Sequence, residues 1–374
     1  MLRAELLAGI RGRRGEFEAA GNLAEQRRNL PADTMATLRE LGAFWLKTPA
    51  ELGGTPLDPF DFCDVLEEFA YTDSAVGWAV MVGNGGTGTA GGWLPDAGVR
   101  QVFTAGGPRP LVVGTPGPRG TGRPVAGGYL VSGRWTFASG CDHADWLIGG
   151  FRETAADGRL MVAIVPREQA EIIDNWQVAG LRGSGSFDFR LAEVFVPASL
   201  TFERAASACR GGALFNVEAH VFLSNELPPL MVGMARRALS EMTRLGDQQR
   251  TVFHAELGHA EASIRAARAV HRAAVVSTWE LAQAGRQPSA SDHIALTTAS
   301  VFAAETATDV ISGLFRYGGG RLLARSELMQ RLLRDVLAAR QHIGLSEEAY
   351  ERAGRDAVES RQRPQPNGRK ARWT

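Results

Sequence analysis

The chain has 374 residues, of which 44% are hydrophobic. A single hydrophobic core usually divides beyond roughly 250–300 residues, so we expect two or three packed units. Lysine plus arginine and aspartate plus glutamate number 41 each. This balance argues against nucleic acid or an anionic membrane as a partner and favours a small neutral molecule.

Signals for export and for metal binding are missing from the sequence. The first residues, MLRAELLAGIRGRRGEF, lack the apolar run of a signal peptide, and no window approaches ~18 uninterrupted apolar residues. Cys63, Cys141 and Cys209 are too widely spaced for a disulfide framework or a CxxC metal site. We expect a cytoplasmic protein with no membrane-spanning segment and no metal.

The apolar pattern changes twice along the chain. Apolar residues recur at helical spacing in residues 1–109, which predicts an N-terminal helical domain. Residues 110–203 contain short apolar runs bounded by glycine and proline, which is typical of a β-domain. Helical spacing returns in residues 204–361, where small apolar faces suit a C-terminal bundle. Residues 362–374 are polar and interrupted by proline, and we predict that they are disordered.

A literal GxGxxG motif occurs at Gly86, Gly88 and Gly91. A dinucleotide-binding fingerprint requires a strand before the motif, a helix after it and an acidic residue about 20 residues later. Leu111 stands at that last position, and no such unit surrounds the motif. We therefore predict a turn between two helices and no nucleotide site.

An alternating strand and a polar turn follow each other in the β-region. Tyr129, Val131, Trp135 and Phe137 fall on one face, and Ser139 continues that face if the pairing persists. One interpretation is an aromatic wall that ends in a hydroxyl. The other is the core of a β-sandwich whose serine is satisfied by a turn, and alternation alone favours it.

Asp142, His143 and Asp145 come directly after this strand. Their side chains are possible metal ligands, but supporting ligands at a recognisable spacing are absent. A polar β-turn is therefore the favoured interpretation.

Three further features have both a functional and a structural interpretation. The run GLRGSGS, which begins at Gly180, offers N–H groups, hydroxyls and the Arg182 cation to a phosphate, or forms a plain hairpin turn. Tyr317–Gly320 caps a helix or allows a ligand to approach closely. His342 follows a predicted helix and is a competent proton acceptor near pH 7, although most single histidines are structural or solvated.

Three segments resemble the acyl-CoA dehydrogenase superfamily, and closely its branch of two-component flavin-dependent monooxygenases. They are GGYLVSGRWTFASGCDHADW, DNWQVAGLRGSGSFDFRLAEVFVP and GGGRLLARSELMQRLLRDVLAARQHIGLSEEAYERAGR. The resemblance implies an α+β fold of the acyl-CoA dehydrogenase type, with an N-terminal helical domain, a middle β-domain and a C-terminal four-helix bundle. It also implies a homotetramer with flavin sites near the subunit boundaries.

The same resemblance identifies candidate site residues. The positions that match flavin-side positions of the family are Trp135, Phe137, Ser139, Arg182, Ser186, Gly318 and Gly319. Ser139 is expected near the flavin N5, and His342 matches the active-site histidine of the monooxygenases. Ser139 and His342 are therefore the expected catalytic residues.

One departure separates this chain from the dehydrogenases of the superfamily. Their glutamate base follows an Arg-Asp pair, and the corresponding stretch Gln341–Gly344 carries Ile343, which cannot abstract a proton. The resemblance therefore implies a monooxygenase that takes reduced FMN or FAD from a separate reductase. It would use O2 to oxygenate a small substrate, expected to be aromatic.

Two alternatives remain open at this point. The first is an acyl-CoA dehydrogenase or oxidase whose base comes from elsewhere in the chain. The second is a catalytically silent homologue that serves as a binding partner. The choice between FMN and FAD, the identity of the substrate and the atom that is oxygenated also remain open.

Overall fold

A computed structural model describes residues 3–104, 109–154, 158–217, 222, 226–245 and 251–362. Its N-terminal part is helical. Asp58 and Asp73 each cap the helix that follows, because each carboxylate accepts hydrogen bonds from two N–H groups of the first turn. The helices are α1 (Arg3–Gly12), α2 (Arg14–Arg27), α3 (Ala32–Glu40), α4 (Pro59–Thr72), α5 (Ser74–Trp93) and α6 (Asp96–Val99).

The middle part is a seven-stranded sheet with the order β5-β6-β2-β1-β3-β4-β7. Strands β1 and β3 are parallel, and the other neighbours are antiparallel. The strands are β1 (Val112–Val125), β2 (Gly128–Trp135), β3 (Trp146–Glu153), β4 (Leu160–Pro166), β5 (Glu171–Ile173), β6 (Asp188–Pro197) and β7 (Thr201–Glu203).

The C-terminal part is a bundle in which α7, α8, α9 and α10 pack on one another and α11 packs on α9. Among the described residues, only α9 is long and apolar enough to span a membrane. It is half buried between α7 and α8, as expected for a core helix. The helices are α7 (Leu227–Leu245), α8 (Thr251–Gln283), α9 (Ala290–Phe315), α10 (Leu328–Ala339) and α11 (Glu348–Gln362).

The succession of helices, sheet and helical bundle confirms the predicted fold class. The exact domain boundaries at residues 109, 203 and 361 stay a prediction. The predicted disordered tail lies outside the described residues, apart from Gln362 at the end of α11.

The predicted turn at the GxGxxG motif is wrong. Gly86, Gly88 and Gly91 all lie inside the uninterrupted helix α5. Each glycine stands where a neighbouring segment approaches so closely that a Cβ would overlap it; at Gly86 the overlapping atom is the carbonyl oxygen of Val112 at the start of β1. These three positions require glycine because the neighbouring segments pack so closely against the helix. From the sequence alone, the same glycines were interpreted as a break in the helix.

Replacement of Gly86 by alanine tests this packing role. The added methyl group would overlap the carbonyl oxygen of Val112, so we expect the free energy of unfolding to fall by about 1–3 kcal/mol. Gly15→Ala in α2 is the control, because nothing lies within 4 Å of a Cβ built there. Equal urea-unfolding midpoints for the two variants would contradict the interpretation.

Candidate active site

Ser139 lies in a group of buried hydroxyls. Its Oγ accepts a hydrogen bond from Trp78 Nε1 at 2.9 Å and lies 2.6 Å from Ser186 Oγ, which lies 2.7 Å from Ser184 Oγ. The serines meet because the loop after β2 and the loop before β6 are held together by the pairing of these two strands. We use the name hydroxyl cluster for the hydroxyl groups of Ser139, Ser184 and Ser186 together with Trp78, whose indole N–H donates to Ser139.

The aromatic face predicted for β2 ends at Trp135. This side chain is fully buried in the sheet, where its ring stacks on Phe189 with 4.8 Å between ring centroids. Gly120, Gly133 and Gly149 leave room for the ring, since a Cβ at any of them would overlap it. Trp135 is therefore a core residue, which corrects the expectation that its side chain lines a flavin.

Phe137 leaves the strand in a different direction from the one predicted. Its φ of +61° is a left-handed value that turns the side chain out of the sheet, and the residue is 64% exposed. Its ring meets the edge of Trp176 with 6.1 Å between centroids. Phe137 is thus the exposed aromatic ring two residues from Ser139, and it does not share a face with Trp135.

His342 contacts the same tryptophan as Ser139. The rings of His342 and Trp78 meet edge-on with 6.2 Å between centroids, so Trp78 joins the two residues predicted to be catalytic. The Nδ1 of His342 accepts a hydrogen bond from the N–H of Gly344 at 3.1 Å. In the neutral ring the proton then resides on Nε2. Desolvation by the surrounding protein lowers the pKa of His342, which favours this neutral form.

A buried ion pair holds α5 against α10. Arg331 donates to Asp73 Oδ2 at 2.9 Å, and Asp73 uses its other oxygen to cap α5. One turn further along α10, Asp335 Oδ1 accepts a hydrogen bond from the N–H of Leu181 at 2.7 Å. Burial raises the pKa of Asp335 to about 6, because this N–H group and Arg331 offset the desolvation only in part. Helix α10 therefore fixes both α5 and the GLRGSGS loop.

The GLRGSGS loop is a packed segment, and neither a free hairpin nor an open phosphate cradle. A Cβ at Gly180 would overlap the backbone of α10, and one at Gly183 would overlap residues of α2 and α5. Arg182 donates to two backbone carbonyl oxygens at 3.0 Å each and borders a cavity of about 1000 Å³ between α2 and the start of α10. Ser186 is buried and belongs to the hydroxyl cluster, where its Oγ lies between those of Ser139 and Ser184.

Gly318 and Gly319 lie in the segment after α9. Gly319 has a φ of +64°, and the preceding Tyr317 packs its ring on Phe253 of α8 with 5.8 Å between centroids. No hydrogen bond or ring contact within the described ranges joins either glycine to the hydroxyl cluster. Their proposed role therefore depends on the resemblance alone.

The polar residues after β2 form the predicted turn. Asp142 pairs with an arginine in the loop after β4, the His143 ring bonds a carbonyl oxygen between α2 and α3, and Asp145 pairs with an arginine of α3. All three side chains are thus engaged in contacts that hold the turn against the rest of the fold. Burial lowers the pKa of His143, in keeping with a neutral structural ring.

Sequence reasoning missed Trp78, Asp73 and Arg331. An N-cap signal was available at Asp73, since aspartate before a helix start is typical of caps. No comparable signal existed for Trp78, because α5 is buried on nearly every side and its sequence shows no polar face that would orient it.

Family comparisons agree with this architecture. The description "Acyl-CoA dehydrogenase, N-terminal domain" matches residues 16–90, and "Acyl-CoA dehydrogenase, C-terminal domain" matches residues 228–347. Together these matches cover more than half of the chain. The chain belongs to the acyl-CoA dehydrogenase superfamily.

Individual relatives place this superfamily member in the monooxygenase branch. Indole-3-acetate monooxygenase of Pseudomonas putida is 26% identical over 364 residues, covering 93% of this chain and 91% of that protein. The oxygenase component of the FADH(2)-dependent resorcinol hydroxylase of Rhizobium sp. is 28% identical over 379 residues, covering 92% and 91%. The crystal structure of the HsaA monooxygenase from Mycobacterium tuberculosis superposes with a TM-score of 0.87 at 26% identity, covering 96% of this chain and 98% of that one.

These findings confirm the predicted branch of the superfamily. The chain is an oxidoreductase, the oxygenase component of a two-component flavin-dependent monooxygenase. Of these three relatives, the resorcinol hydroxylase is described as FADH(2)-dependent.

The pH dependence of stability tests the buried position of Asp335. Its pKa of about 6 exceeds the ~3.9 of an unfolded aspartate, so the native state holds the proton more tightly. The stability that this group contributes is therefore full below about pH 4 and is lost as the pH rises to about 6. Asp335→Asn removes the titration but keeps an oxygen that can accept from Leu181.

We expect the free energy of unfolding of Asp335→Asn, relative to the parent chain, to rise by on the order of 2 kcal/mol between pH 4 and pH 7. Thermal unfolding at a series of pH values measures this difference. Asp309→Asn, at an exposed position on α9, is the control and should track the parent chain. Parallel curves for Asp335→Asn and the parent chain would show that the pKa of this carboxyl group is the same in the native and the unfolded state.

Proposed function

We propose that this oxygenase component oxygenates a small aromatic substrate with O2, using reduced FMN or FAD supplied by a separate reductase. The observation that carries the proposal is the exposed ring of Phe137 beside the hydroxyl cluster, with Trp78 linking Ser139 to His342. Indole-3-acetate and resorcinol, which the names of two relatives specify, are aromatic, and they support an aromatic substrate for this chain.

The residues at the site fit a flavin ring. Phe137 presents an exposed aromatic face, and Ser139 retains hydrogen-bonding capacity beyond its bonds to Trp78 and Ser186. A reduced flavin supplies the electrons that activate O2. We expect Phe137 to pack against the ring and Ser139 to bond its N5 edge. Arg182, which borders the large cavity, remains a candidate for the phosphate-bearing end of the flavin.

His342 is proposed to orient the substrate by donating a hydrogen bond. A proton acceptor at this position would deprotonate the substrate, whereas a donor would orient it. The bond from Gly344 to Nδ1 leaves the proton of the neutral ring on Nε2, so the free nitrogen is a donor. A donor directed at a substrate oxygen or nitrogen positions the ring of the substrate for oxygen transfer.

Dehydrogenation of an acyl thioester is less well supported. That reaction requires a base for the proton next to the carbonyl group. Ile343, at the position corresponding to the glutamate base of the dehydrogenases, is 88% exposed and has no proton-accepting group.

A homotetramer remains part of the proposal. Several apolar side chains on the bundle are exposed, among them Val252 and Val270 on α8 and Phe302 on α9. Exposed apolar faces of this kind are common at subunit interfaces. In such an assembly Gly318 and Gly319 would contribute to flavin sites at the subunit boundaries.

Variants of His342 test its role as a donor. His342→Ala should lower the amount of product per flavin oxidised by at least about tenfold while O2 is still consumed. His342→Gln keeps an N–H donor near the position of Nε2 and should retain part of the coupling. His259→Ala, at an exposed position on α8, is the control. The measurement is the ratio of product to O2 consumed, with the best substrate from a panel of phenols and indoles.

Unchanged product formation in His342→Ala would contradict the site assignment. Equal loss in the alanine and glutamine variants, together with a requirement for pH above the pKa of the histidine, would show that His342 acts as a base.

Ser139→Ala tests the hydroxyl at the N5 edge. Without this hydrogen bond, we expect the rate of H2O2 release after mixing the reduced flavin complex with O2 to rise by about tenfold. Ser207→Ala, at an exposed position, is the matched control. The H2O2 formed is measured with a peroxidase-coupled dye, and an identical rate in Ser139→Ala and Ser207→Ala would exclude the proposed contact.

A further inference from the structure

Leu181, in the GLRGSGS loop, has an unusual backbone conformation for a leucine. Its φ of +51° and ψ of +33° lie in the left-handed region, and its side chain is buried. Residues other than glycine, asparagine and aspartate rarely adopt this conformation, because their Cβ comes too close to the following carbonyl oxygen. A leucine stays there only where surrounding contacts hold it. The contacts of Leu181 therefore decide the course of the loop.

The backbone of Leu181 makes three hydrogen bonds. Its N–H donates to Oδ1 of Asp335 on α10 at 2.7 Å. Its carbonyl oxygen accepts from Trp176 Nε1 at 3.1 Å and from the N–H of Ser184 at 3.0 Å. Asp335 is buried, so its bond to Leu181 lies in an environment of low dielectric constant that strengthens it. Leu181 is thus anchored to α10 on one side and supports two neighbouring residues on the other.

Each of these two neighbours leads to a side chain that is proposed to contact the flavin. The ring of Trp176 meets that of Phe137 edge-on, with 6.1 Å between centroids. The carbonyl oxygen of Ser184 accepts at 3.2 Å from the N–H of Gly140, which follows Ser139 in the chain. The hydroxyl of Ser184 also belongs to the hydroxyl cluster. Two short chains of contacts therefore run from Leu181, one to Phe137 and one to Ser139.

We propose that Asp335 is a positioning residue that, through the N–H of Leu181, places Phe137 and Ser139 for the flavin. The inference rests on the proposed function. Without the carboxyl oxygen, the N–H of Leu181 would be buried with no partner, and the contact that opposes its return to an ordinary conformation would be gone. The loop would then shift, and both side chains would lose part of their support.

A second route from Asp335 to the site runs through α5, the helix that carries Trp78. The charges of Asp73 and Arg331 act on Asp335, and the hydroxyl of Ser74 at the start of α5 hydrogen-bonds it. An effect through the ion pair depends on the negative charge of Asp335. An effect through its hydrogen bonds depends only on an oxygen that accepts.

Two variants separate these routes. Asp335→Asn removes the charge and keeps an oxygen that can accept from Leu181. Ser74→Ala removes the hydrogen bond to α5 and leaves the bond to Leu181 in place. If Asp335 acts through Leu181, both variants should therefore behave like the parent chain, and Asp335→Ala should not.

The experiment is an anaerobic titration of the full chain with photoreduced FMN and FAD, followed by mixing with O2. For Asp335→Ala we expect the dissociation constant of the flavin to rise about tenfold and the rate of H2O2 release to rise about threefold. The second effect is smaller than in Ser139→Ala, because the hydroxyl itself is still present. Asp335→Asn and Ser74→Ala should stay within about twofold of the parent chain in both measurements.

Amide hydrogen exchange without flavin supplies a second measurement. In Asp335→Ala, we expect the amides of residues 180–187 to exchange about fivefold faster than in the parent chain, while those of β3 and α9 keep the parent rates. Faster exchange throughout β3 and α9 would show general destabilisation and would contradict a positioning role. Asp335→Val, which has no acceptor and leaves a smaller cavity, replaces Asp335→Ala if the alanine variant does not fold.

The outcomes distinguish this inference from the proposed function. If the parent chain binds flavin but Asp335→Ala keeps its affinity and its rate of H2O2 release, the positioning role is overturned and the proposed function stands. Equal losses in Asp335→Ala and Asp335→Asn, or the same losses in Ser74→Ala, would overturn the route through Leu181. If the parent chain binds neither flavin, the proposed function fails and this inference fails with it.

Discussion

The ion pair between Asp73 and Arg331 is the constraint on which the arrangement of the site depends. Both charges are buried, so removal of either one leaves the other uncompensated, which typically costs about 3–5 kcal/mol. Asp73 begins α5, the helix that carries Trp78, and Arg331 lies on α10, the helix that leads to His342. Asp335, one turn further along α10, binds the loop before β6. This turn of α10 therefore contacts both the N-terminal helices and the β-domain. The site is thus assembled by contacts between segments that are distant in the sequence.

The fold was largely predictable because helices and strands leave different apolar periods in a sequence. The predictions that proved wrong concern positions where tertiary contacts override local sequence preferences. Gly86, Gly88 and Gly91 have the composition of a turn, but the close approach of neighbouring segments keeps them in a helix. The alternation along β2 favoured a buried Trp135, which the structure confirms. The same alternation was extended to Phe137, which lies beyond the end of the strand and is exposed. Phenylalanine is not a residue type that indicates a left-handed backbone conformation. The exposure of Phe137, which follows from that conformation, could therefore not be inferred from the sequence.

The chemistry of the site was only partly visible from the residues. Ser139 and His342 could be named by resemblance, but the contact that relates them runs through Trp78, on a helix with no polar face. The resemblance also named Ser186, but nothing in the sequence indicated that its hydroxyl lies within hydrogen-bond distance of that of Ser139. Ile343 stands where the dehydrogenases have their glutamate base, and this difference distinguished the chain from them. The relatives confirm the monooxygenase branch. The substrate follows from none of these features, because it depends on the shape of a pocket.

The glycines of α5 also limit how this protein can diversify. A pocket is usually reshaped by exchanging side chains of different size, but along much of α5 the contact surface is backbone against backbone or against a single ring. Any larger residue on that surface must displace a neighbouring strand or loop, with the usual cost of overpacking. Selection for a new substrate would therefore act on exposed side chains elsewhere, such as those of Phe137 and Ile343. The sequence of α5 would then stay the same while the exposed residues change.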